Sequence, residues 1–596
     1  MPDTDYVVGA AATARETTLN RLTHDLLPTA EKWAALAWTL AGADYPARDI
    51  AQAYDQMLLY DEHTWGMHSG LQVSRRQDWS WSDKARYAYR AAGLTEQTLE
   101  AALRRLAQAV RRPQDGRYIV VFNPLSFPRT DLVRIQPPSP YHMILLDEET
   151  KQQFDPENLP EIIDLQTGRS VACQVVEIRS PHMPLPDAPQ RFGRGQFHAP
   201  ERLELVFVAE QVPPLGWKTF RISPPAKQKR GEQIPPAAQP NAAANSDPKE
   251  QTGTLQVGPS SLENRYFRLR LDPQTGAVES LYDKQLQREM LDPAAPHRLN
   301  QLVVKQVPTA RLADPQKAHI QPGQHGPVYA SLVVTTQAPG CPQVTQEIIL
   351  YEKLKRVDLA NRVLRDTTPL LELYFAFPFR MEKPRFAFEA SHSVIRPGED
   401  QLPGSNTNYY TMQHWAAVSD GQASAVMSPL EAHLVEFGGL WPCYTSQAHH
   451  GVTAPEFGQP FVNPKEWTKG HMYSFVHASN FRTNFPILQQ ADLLYRFSIT
   501  SFPGDWRSGQ AWQFGWSAAN PLTAVQVAGK SDGPLEPLWS FCQVEPANIL
   551  VLTLKQAEDG QGLILRLAET AGQSTPVSYT HLRAHETPEH LVCRLL

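Results

Sequence analysis

With 596 residues the chain exceeds what one hydrophobic core supports, so roughly three or four domains of ~100–200 residues are expected. Its 56 basic and 62 acidic side chains are interspersed and sum to a net charge of -6, with no basic stripe interleaved with aromatics, which argues against nucleic acid as a partner. No run of about 18 apolar residues and no charged-then-apolar leader is found, so no membrane partner is expected, and the setting read from the sequence is a bacterial-type cytoplasm. Cys173, Cys341, Cys443, Cys542 and Cys593 lie far apart without a CxxC pair, the pattern of free thiols rather than of disulfides or a thiolate zinc site.

The N-terminal region reads as helix. Leu19, Leu22, Leu26, Ala30, Trp33 and Ala37 recur at three- and four-residue steps, with Pro28 inside the run as a kink. After the turn signal AGADYPARD, Ile50, Ala53, Tyr54, Met57 and Leu58 form a second apolar stripe that Gly66 stops. Leu99, Leu103, Leu106, Ala107 and Val110 mark a third helix between about 83 and 111, and the short links predict a bundle.

At Gly116 the texture changes to β, beginning with GRYIVVFNPLSFPRTDLVRI. Residues 226–252 are rich in Pro, Ala, Gln and Lys and nearly free of bulky apolar side chains, so burial cannot offset the entropy of ordering them, and a linker is expected there. Beyond it, stretches such as ENRYFRLRLDPQTGAVESLYD alternate apolar and polar side chains around turns, which predicts antiparallel strands with one face buried and one wet. The expected class is α+β and multidomain: a three-helix bundle over 1–112, a small antiparallel β-sandwich over 117–225, the linker, and a large antiparallel β-sandwich over 253–560. The final stretch, 577–596, VSYTHLRAHETPEHLVCRLL, breaks the β pattern and is set apart as a non-native tail, so His581, His585, His590 and Cys593 are not read as a metal cluster.

Several phrases in this order resemble the glycoside hydrolase family 38 α-mannosidases: ATARETTLNRLTHDLLPTAEKWAALAW with YDQMLLYDEHTWG, then VVFNPLSFPRTDLV, then LENRYFRLRLDPQTGAVESLYDKQLQREML, then KGHMYSFVHASNFRTNFP. They span residues ~10 to ~560. The resemblance implies a retaining glycosidase hydrolysing α-mannosides, in which a zinc ion held by Asp and His side chains grips two sugar hydroxyls while two carboxylates carry out the chemistry. It also implies that the nucleophile and the other zinc ligands lie on an N-terminal catalytic barrel that this sequence lacks. No catalytic residue is therefore assigned here, and the chain alone is expected to be inactive.

Under the resemblance, DEHTWG occupies the loop that supplies a zinc ligand, which makes His63 the metal candidate and Asp61, Glu62 and Trp65 candidates for sugar contact. The family order is His then Asp, whereas here Asp61 and Glu62 come first. Each residue also has a purely structural use. A histidine suits the negative end of a helix dipole, an indole suits the bundle core, and the acids suit a solvated turn. Acids at a helix C-terminus face the unfavourable end of the dipole, however, and call for a compensating cation or ligand. His68 and Ser69 do not complete a zinc motif with His63. In ASNFRTNF, Asn480, Arg482 and Asn484 are polar groups suited to sugar hydroxyls, with Arg482 the candidate substrate contact. The competing reading is a non-catalytic carbohydrate-binding or structural β-sandwich protein; self-association into a homo-oligomer stays open under either.

Overall fold

The computed structural model describes residues 5–62, 75–136, 159–178, 202–223 and 253–579, apart from 308, 314, 316, 392, 442–460, 480–485 and 487–488, together with 584–586 and 592–595. The whole of the expected linker, 226–252, and the candidates His63, Trp65 and Arg482 lie outside the described residues, as do His68, Ser69, Asn480 and Asn484. The class is the expected one, helices first and antiparallel sheets after.

A short helix α1 (Asp5–Ala10) leads into α2 (Ala14–Ala41), followed by α3 (Ala47–Asp61) and α4 (Arg75–Ala109). Pro28 is accommodated within α2, and Gly42 ends that helix in a left-handed conformation, its N–H bonded to the Ala37 carbonyl. The bundle core follows the apolar stripes only in part. Ala30, Trp33, Ala37, Ile50, Leu103 and Leu106 pack together, but Leu19, Leu22 and Leu26 are only half-buried. In the first half of α2 the polar Glu16, Asn20 and Thr23 are buried alongside Ala14 and Leu27. This inversion arises because that half of the helix lies against another domain and not in the bundle alone, as the Arg21 bonds described below show.

The small β-domain is built around the strand Arg117–Asn123, which is buried on both faces. Ile119 and Val121 join Val133, Leu205, Phe207 and Phe220 in one core, while Val120 and Phe122 turn the other way to meet Trp33, Leu103 and Trp217. Burying each such side chain stabilises the fold by about 1.5–3 kcal/mol. One neighbour of this strand comes from far along the chain: Thr523–Ala528 pairs antiparallel with it, and Leu538–Ser540 pairs with Gly216–Ser223. The segment 523–540, which the strand pattern alone attaches to the large sandwich, thus contributes strands to the small domain's sheet. Close backbone approach is the physical reason the site at Gly216 works, because a Cβ there would meet the Trp539 carbonyl oxygen at 2.0 Å. Strands Ile549–Gln556 and Leu563–Glu569 form a further sheet, and the tail segments Ala584–Glu586 and Val592–Leu595, set apart on sequence, are paired in it.

The large sandwich has a nine-stranded sheet, a six-stranded sheet and a flanking five-stranded one, with a shared core that includes Leu332, Val344, Leu359 and Phe497 from the first and Leu373, Phe375 and Phe377 from the second. In the nine-stranded sheet, Val357–Arg365 alternates buried and half-buried positions as expected of a strand with one wet face. The central strand of the six-stranded sheet, Leu371–Phe379, is buried at every position, because Tyr374 and Ala376 on its second face are covered by Val8 and Ala11 from the N-terminus. After the strand Ala491–Pro503, a short helix α5 (Ala511–Ala519) packs back on the sandwich.

Candidate functional site

The polar half of α2 follows from its sequence spacing. Thr17, Asn20, Arg21, His24, Asp25, Pro28 and Lys32 recur at three- and four-residue steps and line one side of a groove of about 680 Å3 whose other walls are the end of α3 and the sandwich segment 411–414. Arg21 closes the seam. Its Nε donates to the Leu430 carbonyl at 3.0 Å, Nη1 to Met412 at 3.2 Å and Nη2 to Gln413, all backbone oxygens of the sandwich.

At the mouth of the groove, Asp61 ends α3 and its carboxylate is held at two points: Asn20 Nδ2 donates to Oδ1 at 2.7 Å, and His24 Nε2 lies 2.9 Å from Oδ2. The next residue, Glu62, offers its backbone carbonyl to Lys84 Nζ. Burial pushes the Lys84 ammonium down to about 8, against the pull of Glu62 and Asp61, and the Tyr60 ring lies 5.3 Å beneath it. The compensation expected for acids at a helix C-terminus is therefore supplied from within the chain by His24 and Lys84.

Deeper in the groove, His414 bridges two carboxylates, with Nε2 at 2.8 Å from Asp25 Oδ1 and Nδ1 at 3.1 Å from Glu389 Oε2. Burial disfavours its charge, but Glu389 and Asp25 outweigh that and hold the imidazolium at about 10. Burial likewise works against the Asp25 charge, yet His414 and Arg21 keep its pKa below the ordinary value. Trp516 Nε1 donates to the second Glu389 oxygen at 3.0 Å, and its ring lies against the imidazole with centroids 4.1 Å apart.

Two groove-lining side chains retain unused capacity. Asn20 Oδ1 and Gln413 Oε1 are buried acceptors with no hydrogen-bond partner among the described residues. Such groups cost about 1–3 kcal/mol each when left unmatched.

As a metal site the described residues fall short. A catalytic zinc takes about three protein ligands. Asp61 and His24 are one carboxylate and one imidazole that already bond each other, and among the described residues no group of three or more His, Cys, Asp or Glu side chains could hold a metal ion. No described helix is long and apolar enough to cross a membrane.

Two family models match this chain: the glycosyl hydrolases family 38 C-terminal domain over residues 262–432, and the glycosyl hydrolases family 38 C-terminal beta sandwich domain over 548–587. Over these two stretches the chain is similar to the C-terminal domains of the family 38 glycosyl hydrolases. The fold is shared with two structures from Enterococcus faecalis. One, a protein in the glycosyl hydrolase family 38, matches with a TM-score of 0.64 at 14% identity over 96% of this chain and 66% of its own. The other, an alpha-mannosidase, matches with a TM-score of 0.65 at 15% identity over 94% and 62% respectively. The chain thus spans just under two thirds of the length of either. No curated protein sequence matches it.

Of the residues chosen on sequence, the structure describes Asp61 and Glu62 and brings Asp61 to the groove. Asn20, His24, Asp25, Glu389, Gln413 and His414 are the groove and wall residues that sequence reading missed. The step of four between Asn20 and His24 was a usable signal for one polar helix face. His414, 389 positions beyond Asp25, gave none.

Proposed function

We propose that this chain forms the C-terminal portion of a zinc-dependent retaining α-mannosidase and that the groove beneath Asp61 is where it meets the glycan. The observation that carries the reading is the pair of unmatched buried acceptors, Asn20 Oδ1 and Gln413 Oε1, beside the pinned Asp61 carboxylate. Those acceptors need hydroxyl donors, and a sugar ring presents several. Asp61, and Glu62 beside it, would accept from substrate hydroxyls, with Asn20 and His24 fixing the Asp61 orientation; Trp65 and Arg482 are proposed as further sugar contacts. His63 would be one zinc ligand, the others coming from an N-terminal catalytic domain in the intact protein. Bound zinc would orient the ring through its hydroxyls. A retaining enzyme also needs two carboxylates ~5–5.5 Å apart across the sugar, which adjacent residues such as Asp61 and Glu62 cannot provide, so the nucleophile is assigned to that domain.

The test compares aryl α-mannoside hydrolysis and zinc content of the intact enzyme with its His63→Ala and Asp61→Asn forms, alongside this chain alone. Loss of stoichiometric zinc in His63→Ala, a fall in kcat/KM of roughly 100-fold in Asp61→Asn, and no turnover by the chain alone support the proposal. Tight zinc binding or turnover by the chain alone, or full activity of both variants, would overturn it. A glycan that binds the intact protein without being hydrolysed would favour the non-catalytic carbohydrate-binding alternative.

A further inference from the structure

The sequence WRSGQAWQFGW places Trp506, Trp512 and Trp516 within eleven residues, the last two one helical turn apart on α5. Gly515 lets that helix close on the sandwich, since a Cβ there would stand 2.8 Å from Trp415 Cδ1 and 2.9 Å from the His414 carbonyl. The four indoles of Trp415, Trp506, Trp512 and Trp516 line a pocket of about 330 Å3 between the edge of the nine-stranded sheet and the sheet formed by 549–556 and 563–569. That volume lies at the lower end of the ~300–1,000 Å3 range of small-ligand sites, enough for one ring and not for an extended chain. Close-packed interiors do not leave such a void between large side chains without cause.

The polar groups around the pocket narrow the ligand class. Glu389 is taken by His414 and Trp516. Asp400 is forked by Arg396 through Nε at 3.0 Å and Nη2 at 2.7 Å. Glu569 accepts the backbone N–H groups of Ala571, Gly572 and Gln573 at 2.7–2.9 Å, while the Arg507 guanidinium lies 4.1 Å over the Trp506 ring and donates to the Ala571 carbonyl. Every fixed charge already has a partner, so neither an anion nor a cation finds an unmatched counter-charge. What is unmatched is neutral: Trp415 is fully buried, and its Nε1–H has no acceptor among the described residues. An uncharged ligand with an apolar face for the indoles and an oxygen for that N–H fits this arrangement.

We propose that this pocket is a second carbohydrate-binding site, distinct from the groove, that takes a single neutral pyranose ring such as the terminal sugar of an oligosaccharide. The site stands on its own geometry and does not require that the protein hydrolyse what it holds. Trp516 and Leu552 line both cavities, so the two sites share a wall.

The full chain is titrated with methyl α-mannopyranoside, with methyl β-galactopyranoside, and with choline chloride as a cationic control. Binding is read by indole fluorescence and by saturation-transfer NMR, and unfolding midpoints establish that each variant is folded. The expected result is saturable binding of at least one glycoside, weakened roughly ten-fold by Trp506→Phe or by the exposed-rim variant Arg396→Gln and unchanged by Arg86→Gln, at an exposed position of α4 that lines neither cavity. The pocket is ruled out if neither glycoside saturates, if choline binds better than both, or if Trp506→Phe and Arg396→Gln both leave binding unchanged. Failure here would leave mannoside hydrolysis by the intact enzyme unaffected, and loss of hydrolysis would leave this binding intact, so the two proposals fail separately.

Discussion

The groove and the indole pocket lie on either side of one partition, yet they are opposite in chemistry. The groove is walled by a polar helix face and leaves two acceptors unmatched, Asn20 Oδ1 and Gln413 Oε1. The pocket is walled by four indoles and leaves one donor unmatched, Trp415 Nε1. Between them stands the chain Asp25–His414–Glu389–Trp516, in which every ionised group is answered by another. The charges of the partition are paired with one another, and the unmatched atoms Asn20 Oδ1, Gln413 Oε1 and Trp415 Nε1 of the lining residues are neutral. A saccharide, which is both donor and acceptor, suits either side.

The largest effect should come from breaking the partition. His414→Leu leaves Asp25 and Glu389 buried without their shared cation, which should cost about 3–5 kcal/mol in urea unfolding, since removing one partner of a buried ionic array strands the others. A loss below about 1 kcal/mol would mean the partition is solvated and would erase its contrast with the exposed mouth of the groove. The same residue sets a pH dependence. Its pKa is raised from the ordinary value of 6.5 to about 10, so the stability it contributes is complete below 6.5 and is lost as pH rises through 10. Lys32 and Lys84, lowered by burial to about 8, act in the other direction, because their penalty is relieved as they lose protons. The difference between wild type and His414→Leu isolates the histidine and should shrink between pH 7 and 10 by up to about 1.4 kcal/mol per pH unit. A difference that stays flat across that range would mean His414 is not held charged.

A smaller effect is expected from Trp516→Phe, which keeps an aromatic ring between the cavities but removes the N–H from Glu389 Oε1. The lost bond to a buried carboxylate should cost about 1–3 kcal/mol. If the variant is as stable as wild type, the wall is held by ring packing alone.

Periodicity exposed much of this architecture and little of its partition. The helices and the change to β at Gly116 were legible because amphipathic stripes are local. The strand Thr523–Ala528 was not assignable to the small domain, because register with Arg117–Asn123 is a contact across some 400 residues that no local pattern encodes. Leu19, Leu22 and Leu26 misled because the helix that carries them packs polar side chains against the sandwich, a tertiary choice that outranks propensity. Asp61 was legible because acids at a helix end violate the dipole rule and invite a reason. His414 and Trp415 looked like ordinary strand residues, and only their three-dimensional neighbours give them a role.

The smallest expected effect is at the mouth of the groove. The His24 and Asp61 side chains are each 42% exposed, so water and salt screen their 2.9 Å contact. Exposed pairs of this kind couple by only about 0.2–1 kcal/mol, far less than the buried bridge around His414. A double-mutant cycle of His24→Ala and Asp61→Asn, followed by urea unfolding at low and high salt, should give a coupling in that range that fades as salt is added. The weakness is consistent with a binding role. Asn20 and His24 orient the Asp61 carboxylate through contacts weak enough to be shared with substrate hydroxyls, whereas His414, which faces two carboxylates inside the wall, is held more firmly. A salt-independent coupling above about 2 kcal/mol would show that Asp61 is held as firmly as the partition, and the contrast between a fixed wall and an adaptable rim would fall.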